Sequence, residues 1–124
     1  MDTATVVESQ IDDGRHFVDH LRQAGFDVAV AFWVLTTDDG LWFLYIASDV
    51  VDKEGLATAY RKAYSELSRS QVSWVTSSDI KLIGSQNPIA LEAIASRSNN
   101  NMVTKYGGRK LGSMIIEDAY IYPN

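Results

Sequence analysis

Apolar residues near the start of the chain recur at steps of three and four, the spacing of one face of an α-helix. The pattern predicts a helix from about Thr5 to Ala24, with its apolar positions within an arc of roughly 120°. Gly25 follows as a C-terminal cap, because glycine adopts the left-handed conformation at little cost. Gly14 lies on the apolar side, which predicts close packing against a neighbouring element. The apolar positions are Val7, Ile11, Phe17, Val18 and Leu21.

Two runs rich in valine and aromatic residues, over residues 27–36 and 41–47, predict the strands of a hairpin. Thr37-Asp38-Asp39-Gly40 lies between them and contains the Asp-Gly pair that suits a tight turn. Apolar side chains point to both faces, so the hairpin is predicted to be central in its sheet and covered on both sides. If Thr37 pairs with Gly40, the cross-strand pairs are Trp33–Leu44, Leu35–Trp42, Val34–Phe43 and Phe32–Tyr45.

The rest of the chain alternates helical and strand patterns. The predicted elements are a helix over 53–69 capped by Asp52, a strand over 80–83, a helix from Asn87 and Pro88 that ends before Ser98, and strands over 102–106 and 114–122 with a turn at Gly107-Gly108. The order α-β-β-α-β-α-β-β predicts a single α+β domain over residues 1–124. Its sheet is expected to be mixed and mainly antiparallel, with about five strands and three helices.

The amino-acid composition limits which kinds of reactive site and which binding partners are expected. The chain has 124 residues, no cysteine and a formal net charge of −5. Without cysteine there are no disulfides, thiolate nucleophiles or cysteine-based metal sites. The acidic balance disfavours nucleic acid and anionic membranes, because both attract basic surfaces. No secretory signal or membrane-spanning run is recognisable, so a cytoplasmic setting is expected.

His16 and His20 lie four residues apart on the first predicted helix, near Asp12 and Asp19. Two imidazoles at this spacing are able to share a metal ion. The same pattern is also typical of a solvent-exposed helix face. We expect no metal there because no hydrogen-bonding partner is recognisable that would orient the imidazole rings. No other cofactor signature is present, and the glycines of residues 107–112 join two strands rather than a strand and a helix. We therefore expect no cofactor.

Glu117 and Asp118 are neighbours in the last predicted strand and so point to opposite faces. One pleat turns Glu117 into the core, and the reverse pleat turns Asp118 inward together with Tyr120. A buried carboxyl group needs a hydrogen-bonding or charged partner, and Lys81, Lys105 and Arg109 are candidates. Glu117, Asp118, Tyr120 and Arg109 are therefore a candidate site for a buried acid or a ligand.

Trp33, Trp42, Phe43 and Tyr45 on the predicted hairpin are candidates for an interface. Three helices, one of them short, leave part of a five-stranded sheet uncovered, and exposed apolar surface marks interaction sites. We expect either a homo-oligomer at micromolar concentration or a protein partner that covers this face. A non-catalytic interaction or assembly domain is the first functional hypothesis. The alternative is a small enzyme or ligand-binding protein with its site near Glu117 and Asp118.

Four segments of the chain carry a resemblance: Ala24–Trp33, Trp42–Ser48, Ser78–Ile80 and Ile116–Tyr122. They are similar to segments of a group of small uncharacterised bacterial proteins. The resemblance spans most of the chain and rests on strand residues together with the closing Glu-Asp-Ala-Tyr segment. It implies a bacterial, cytoplasmic setting, and it identifies no catalytic residue.

Overall fold

The computed structural model describes residues 8–37 and 40–124. The elements are α1 (Glu8–Gln23), β1 (Val30–Thr36), β2 (Trp42–Ser48), α2 (Asp49–Glu54), α3 (Leu56–Ser70), β3 (Ile80–Gly84), α4 (Pro88–Ser96), β4 (Thr104–Tyr106), β5 (Lys110–Leu111) and β6 (Met114–Ile121). The sheet has the order β3-β2-β1-β6-β4, and β5 pairs with β6. Only β2 and β3 run parallel among these pairs. The α+β class with a mixed, mainly antiparallel sheet is confirmed, with six strands and four helices in the described residues.

The central hairpin has the predicted register. In β1 and β2, Trp33 lies opposite Leu44 and Phe32 lies opposite Tyr45, and the other two predicted pairs are also present. Both strands are interior, with β3 beside β2 and β6 beside β1. Asp38 and Asp39 of the predicted turn lie outside the described residues.

Two apolar clusters lie on the two faces of the sheet. On the first face, Trp33, Leu44 and Ile46 are buried in one cluster with Phe17 and Leu21 of α1. The second face forms another cluster of β1, β2 and β6 side chains with two alanines of α4. The apolar residues of the hairpin therefore do face two cores, as their pattern predicts. No helix of the described residues has both the length and the apolar character needed to cross a membrane.

Helix α1 is described from Glu8, so the first three residues of the predicted helix lie outside the described residues. The chain leaves the helix through Gly25, and the Phe26 N–H donates to the Leu21 carbonyl at 2.9 Å. The close packing predicted at Gly14 is confirmed. A Cβ added there would overlap the Tyr122 hydroxyl and lie 2.9 Å from Trp33 Nε1.

The single helix predicted over residues 53–69 is wrong, because the chain forms two helices that meet at Gly55 (φ +88°). The N-cap of α2 is Ser48, whose hydroxyl accepts the Val50 N–H at 3.1 Å. Asp52, the predicted cap, instead accepts the Ser85 N–H at 2.9 Å. This bond joins α2 to the end of β3. Because Asp52 and Ser85 are 33 residues apart, no local sequence pattern predicts the bond.

Strand β6 contains a β-bulge that neither predicted pleat includes. Leu35 pairs with Asp118, but the next residue, Thr36, pairs with Ile116. Glu117 is the extra residue between them. A bulge of this kind interrupts the alternation of side chains and bends the strand.

The bulge changes which β6 side chains share a face. Ile116, Ala119 and Ile121 all belong to the cluster on the second face, which strict alternation would not allow. Leu111 of β5 is also fully buried in that cluster, so the β5–β6 hairpin covers part of the second face. The short strand β5 was missed because it has two residues and no periodic pattern.

Candidate functional site

Two of the four residues of the candidate acid site lie together, because Asp118 and Tyr120 both contact Lys105, whereas Glu117 and Arg109 are exposed. Glu117 is exposed, whereas the Asp118 side chain is 26% exposed and its Oδ2 lies 3.8 Å from Lys105 Nζ. Tyr120 packs against Trp42 with ring centroids 5.8 Å apart. Arg109 is exposed in the connection between β4 and β5. The structure therefore joins Asp118 to Lys105 in a partly exposed ion pair, on the face of the sheet that packs against α1.

The four aromatic interface candidates divide between the two faces. Trp33 is fully buried and donates from Nε1 to the Tyr122 hydroxyl at 2.8 Å, and Trp42 is nearly buried in the same cluster. These two rings belong to the core of the first face. Phe43 and Tyr45 lie on the second face and are partly exposed. Only the second pair offers surface to a partner.

The two histidines have different surroundings. His16 is exposed, and His20 Nε2 lies 2.9 Å from Glu66 Oε1 on α3. The other oxygen of Glu66 accepts from Arg69 at 3.1 Å. Within residues 8–37 and 40–124, no group of three or more histidine or carboxylate side chains is arranged to hold a metal ion. The Glu66 contact links α1 to α3 and was not foreseen, because 46 residues separate it from His20.

A groove lies on the second face of the sheet, between β2 and β3 on one side and the β5–β6 hairpin on the other. Helix α4 packs against β1, β5 and β6, and Arg97 at its end donates to the Ala29 carbonyl at 2.8 Å. The groove has a volume of about 510 Å³ and is open to solvent. Its lining residues are Thr36, Thr37, Phe43, Tyr45, Lys81, Ser113, Met114 and Ile115.

The β2–β3 wall of the groove is aromatic and carries a cation. Tyr45 stacks on the buried ring of Phe32, with centroids 5.5 Å apart and planes 7° from parallel. Lys81 is paired with Tyr45 across the parallel strands, and its Nζ lies 4.8 Å from the centroid of the Phe43 ring. The negative face of an aromatic ring attracts an ammonium group at this distance. The wall is therefore a packed aromatic surface with a positive charge held over it.

The opposite wall presents an exposed aliphatic residue beside a second lysine. Ile115 is 58% exposed and is paired with Lys110 across the β5–β6 hairpin. Directly paired residues of antiparallel strands project to the same side, about 5 Å apart. Lys110 is therefore a neighbour of the groove on this side. Among the residues that the structure describes, none of those that line the groove is a carboxylate.

One carboxylate holds the β5–β6 hairpin against α4. Glu92 accepts the Gly112 N–H at 3.1 Å with one oxygen, and its other oxygen lies 3.1 Å from the Tyr106 hydroxyl. Desolvation, followed by the hydrogen bond to Glu92, raises the pKa of Tyr106. The turn also touches the first turn of α4, since a Cβ added at Gly112 would lie 2.9 Å from the Ile89 nitrogen. A lone charged residue in the otherwise apolar helix α4 was the available sequence signal.

Glu92→Ala is expected to loosen the β5–β6 hairpin and lower the free energy of unfolding by about 1–3 kcal/mol, because the Gly112 N–H loses its acceptor. Amide hydrogen exchange at Leu111 and Gly112 should accelerate more than exchange in β1. Glu117→Ala removes an exposed carboxylate and serves as the control. Unchanged exchange in the hairpin of Glu92→Ala would show that this carboxylate does not hold the wall.

Comparison with protein families, curated proteins and solved structures finds no match for this chain.

Proposed function

We propose that the protein is a non-catalytic interaction domain, and that the groove on the second face of the sheet binds an apolar segment of a partner protein. The observation that carries the proposal is the incomplete cover of this face. Helix α4 and the β5–β6 hairpin bury one part of it, while Phe43 and Tyr45 stay partly exposed beside Ile115. Exposed apolar surface of this kind, rimmed by polar groups, is typical of interaction sites.

The shape and chemistry of the groove suit a polypeptide better than a small molecule. Small-molecule sites enclose most of the ligand surface, whereas this groove is open between two walls. Phe43 and Ile115 offer apolar contacts on opposite walls, and the hydroxyl residues Thr37 and Ser113 lie along the same lining. A peptide segment is able to use both, with apolar side chains in the groove and backbone groups near the hydroxyls.

A second copy of the chain is the less favourable occupant. In an isologous contact the same patch meets itself, so lysines that flank the groove face one another. Each copy also carries a net charge of −5, which adds repulsion at long range. We therefore propose that the groove binds a different protein. The proposed setting for this interaction is the bacterial cytoplasm, which the resemblance described above implies.

The alternative function, a ligand site at Glu117 and Asp118, is supported by no specific contact. Neither acid lines the groove, and Asp118 already pairs with Lys105. The proposal accordingly gives no catalytic role to either residue.

Selection from a random peptide library displayed on phage tests the proposal. We expect peptides that bind the wild-type protein and bind Ile115→Gln at least about fivefold more weakly, since truncation of a central apolar contact of an interface costs more than ~1 kcal/mol. Met102→Gln is the matched control, because Met102 is 62% exposed, close to the 58% of Ile115, and does not line the groove. Peptides retained equally by Ile115→Gln, or no selected peptides at all, would contradict the proposal.

Sedimentation across a micromolar dilution series decides between a partner protein and a second copy. We expect the wild-type chain to sediment at 13.8 kDa, the mass of a monomer. A dimer that Ile115→Gln dissociates and Met102→Gln leaves intact would assign the groove to a second copy. That result would overturn the choice of a separate partner.

A further inference from the structure

We infer that the segment recognised by the groove is acidic as well as apolar, with carboxylates that pair with Lys81 and Lys110. This inference rests on the proposed function of the groove and adds the chemistry of its partner. It follows from the charges around the groove, which are opposite in sign to the net charge of −5 on the whole chain.

Lys81 is positioned before any partner arrives. It lies in the edge strand β3, and the face of Phe43 is 4.8 Å from its ammonium group. A lysine held in this way loses less side-chain entropy when it binds a carboxylate than a freely rotating lysine does. Among the described residues, none of the ion pairs involves Lys81. Its ammonium group lies at the edge of the groove, over the Phe43 ring.

Lys110 supplies a positive charge on the opposite wall. Its carbonyl oxygen lies 2.7 Å from the Tyr106 hydroxyl, which fixes the backbone of β5 relative to α4 through Glu92. Its side chain is exposed and neighbours Ile115 across the hairpin. An apolar side chain that enters between Phe43 and Ile115 would therefore be flanked by an ammonium group on each side. Acidic residues next to that apolar residue complete the match.

The positive charge beside the groove differs from the net negative charge of the molecule, and this difference favours binding of an acidic partner at the groove. The chain as a whole carries an excess of acidic residues, so the lysines beside the groove favour an acidic partner at this place on the surface. Complementary charge of this kind fixes orientation and raises the association rate more than it raises affinity. Salt is expected to weaken the attraction, because both lysines are near the surface.

Titration of the ¹⁵N-labelled protein, followed by amide chemical shifts, tests this inference with three synthetic hexapeptides. One alternates glutamate and leucine, the second glutamine and leucine, and the third lysine and leucine. We expect the Glu-Leu peptide to shift the signals of Thr36, Lys81 and Ile115 and to bind about fivefold more tightly than the Gln-Leu peptide, as two partly exposed ion pairs imply. The Lys-Leu peptide is expected to bind most weakly.

Single substitutions show whether the two lysines are responsible. Lys81→Gln and Lys110→Gln should each weaken binding of the Glu-Leu peptide by about two- to threefold and leave binding of the Gln-Leu peptide unchanged. Lys53→Gln is the control, since Lys53 is exposed on α2 and does not line the groove. An equal effect of all three substitutions would indicate a general charge effect and overturn the assignment.

The remaining outcomes separate this inference from the function on which it rests. If the three peptides shift the groove signals with equal affinity, the groove binds apolar segments without regard to charge, and only the inference fails. If a single-stranded oligothymidylate shifts the same signals at lower concentration than the Glu-Leu peptide, the lysines serve nucleic acid, and both fail. If no peptide shifts these signals, both fail as well.

Discussion

Gly14→Ala is expected to lower the free energy of unfolding by about 2–4 kcal/mol, even though alanine is the better helix former by about 1 kcal/mol. The added Cβ would overlap the Tyr122 hydroxyl and lie 2.9 Å from Trp33 Nε1. The hydroxyl is held in place, because it accepts from Trp33 at 2.8 Å and donates to the Ile11 carbonyl at 2.6 Å. Relief of the overlap therefore requires movement of α1 or loss of these bonds.

Denaturant unfolding monitored by tryptophan fluorescence measures this effect. Gly107→Ala is the matched control, since a Cβ built there has no described neighbour within 4 Å apart from the adjoining residues of the chain. A double-mutant cycle with Tyr122→Phe identifies the cause, because that substitution removes the overlapping oxygen. Gly14→Ala should then be less destabilising when it is combined with Tyr122→Phe than when it is made in the wild type. Wild-type stability of Gly14→Ala would show that α1 accommodates the methyl group without strain.

The second large expected effect is a loss of stability at alkaline pH. We expect the free energy of unfolding to fall there because of Tyr122. Burial is the main cause that raises the pKa of this phenol, and the hydrogen bond from Trp33 opposes it. In the unfolded chain a tyrosine ionises near pH 10. Above that pH the unfolded state loses a proton that the folded state retains, so the free energy of unfolding falls by up to about 1.4 kcal/mol per pH unit. Below pH 10 this contribution is constant.

Tyr122→Phe is expected to weaken this dependence and to lower stability at neutral pH. Without the hydroxyl, the Trp33 N–H loses its acceptor in the core and the Ile11 carbonyl loses a donor, at a cost of about 1–3 kcal/mol. Unfolding free energies measured between pH 8 and pH 11.5 test both effects. Tyr64→Phe, at a tyrosine that is 38% exposed, should keep the wild-type slope. Equal slopes for wild type and Tyr122→Phe would show that another group controls the alkaline limb.

The elements predicted well are those whose structure depends on nearby residues. The register of β1 and β2 follows from the alternation of their side chains and from the short connection between them. Helix α1 follows from its apolar period, and the packing at Gly14 follows from a glycine on an apolar helix face. For β1, β2 and α1 the residues that decide the geometry are close in sequence. The glycine on the apolar face of α1 predicts that a neighbour packs closely there, but not that the neighbours are Trp33 and Tyr122.

The predictions that were wrong depend on distant residues. Asp52 suits a helix cap, but its carboxylate binds Ser85 instead, and Ser48 caps α2. The pleat at Glu117 depends on how β6 pairs with β1, and the bulge that changes it has no local signature. Alternation within one strand assumes uninterrupted pairing, which only the assembled sheet determines.

The candidate site also combines features that local sequence predicts with features that depend on distant residues. The apolar pattern by itself determined a central hairpin with two buried faces and placed Phe43 and Tyr45 among the interface candidates. Only the tertiary structure decided that these rings border a groove with Lys81 and Ile115. Glu92 of α4 binds the β5–β6 hairpin, and this hairpin forms one wall of the groove. The alternation of side chains along a strand indicates which face of the strand is buried. How much of that face stays exposed depends on where segments distant in sequence pack against it.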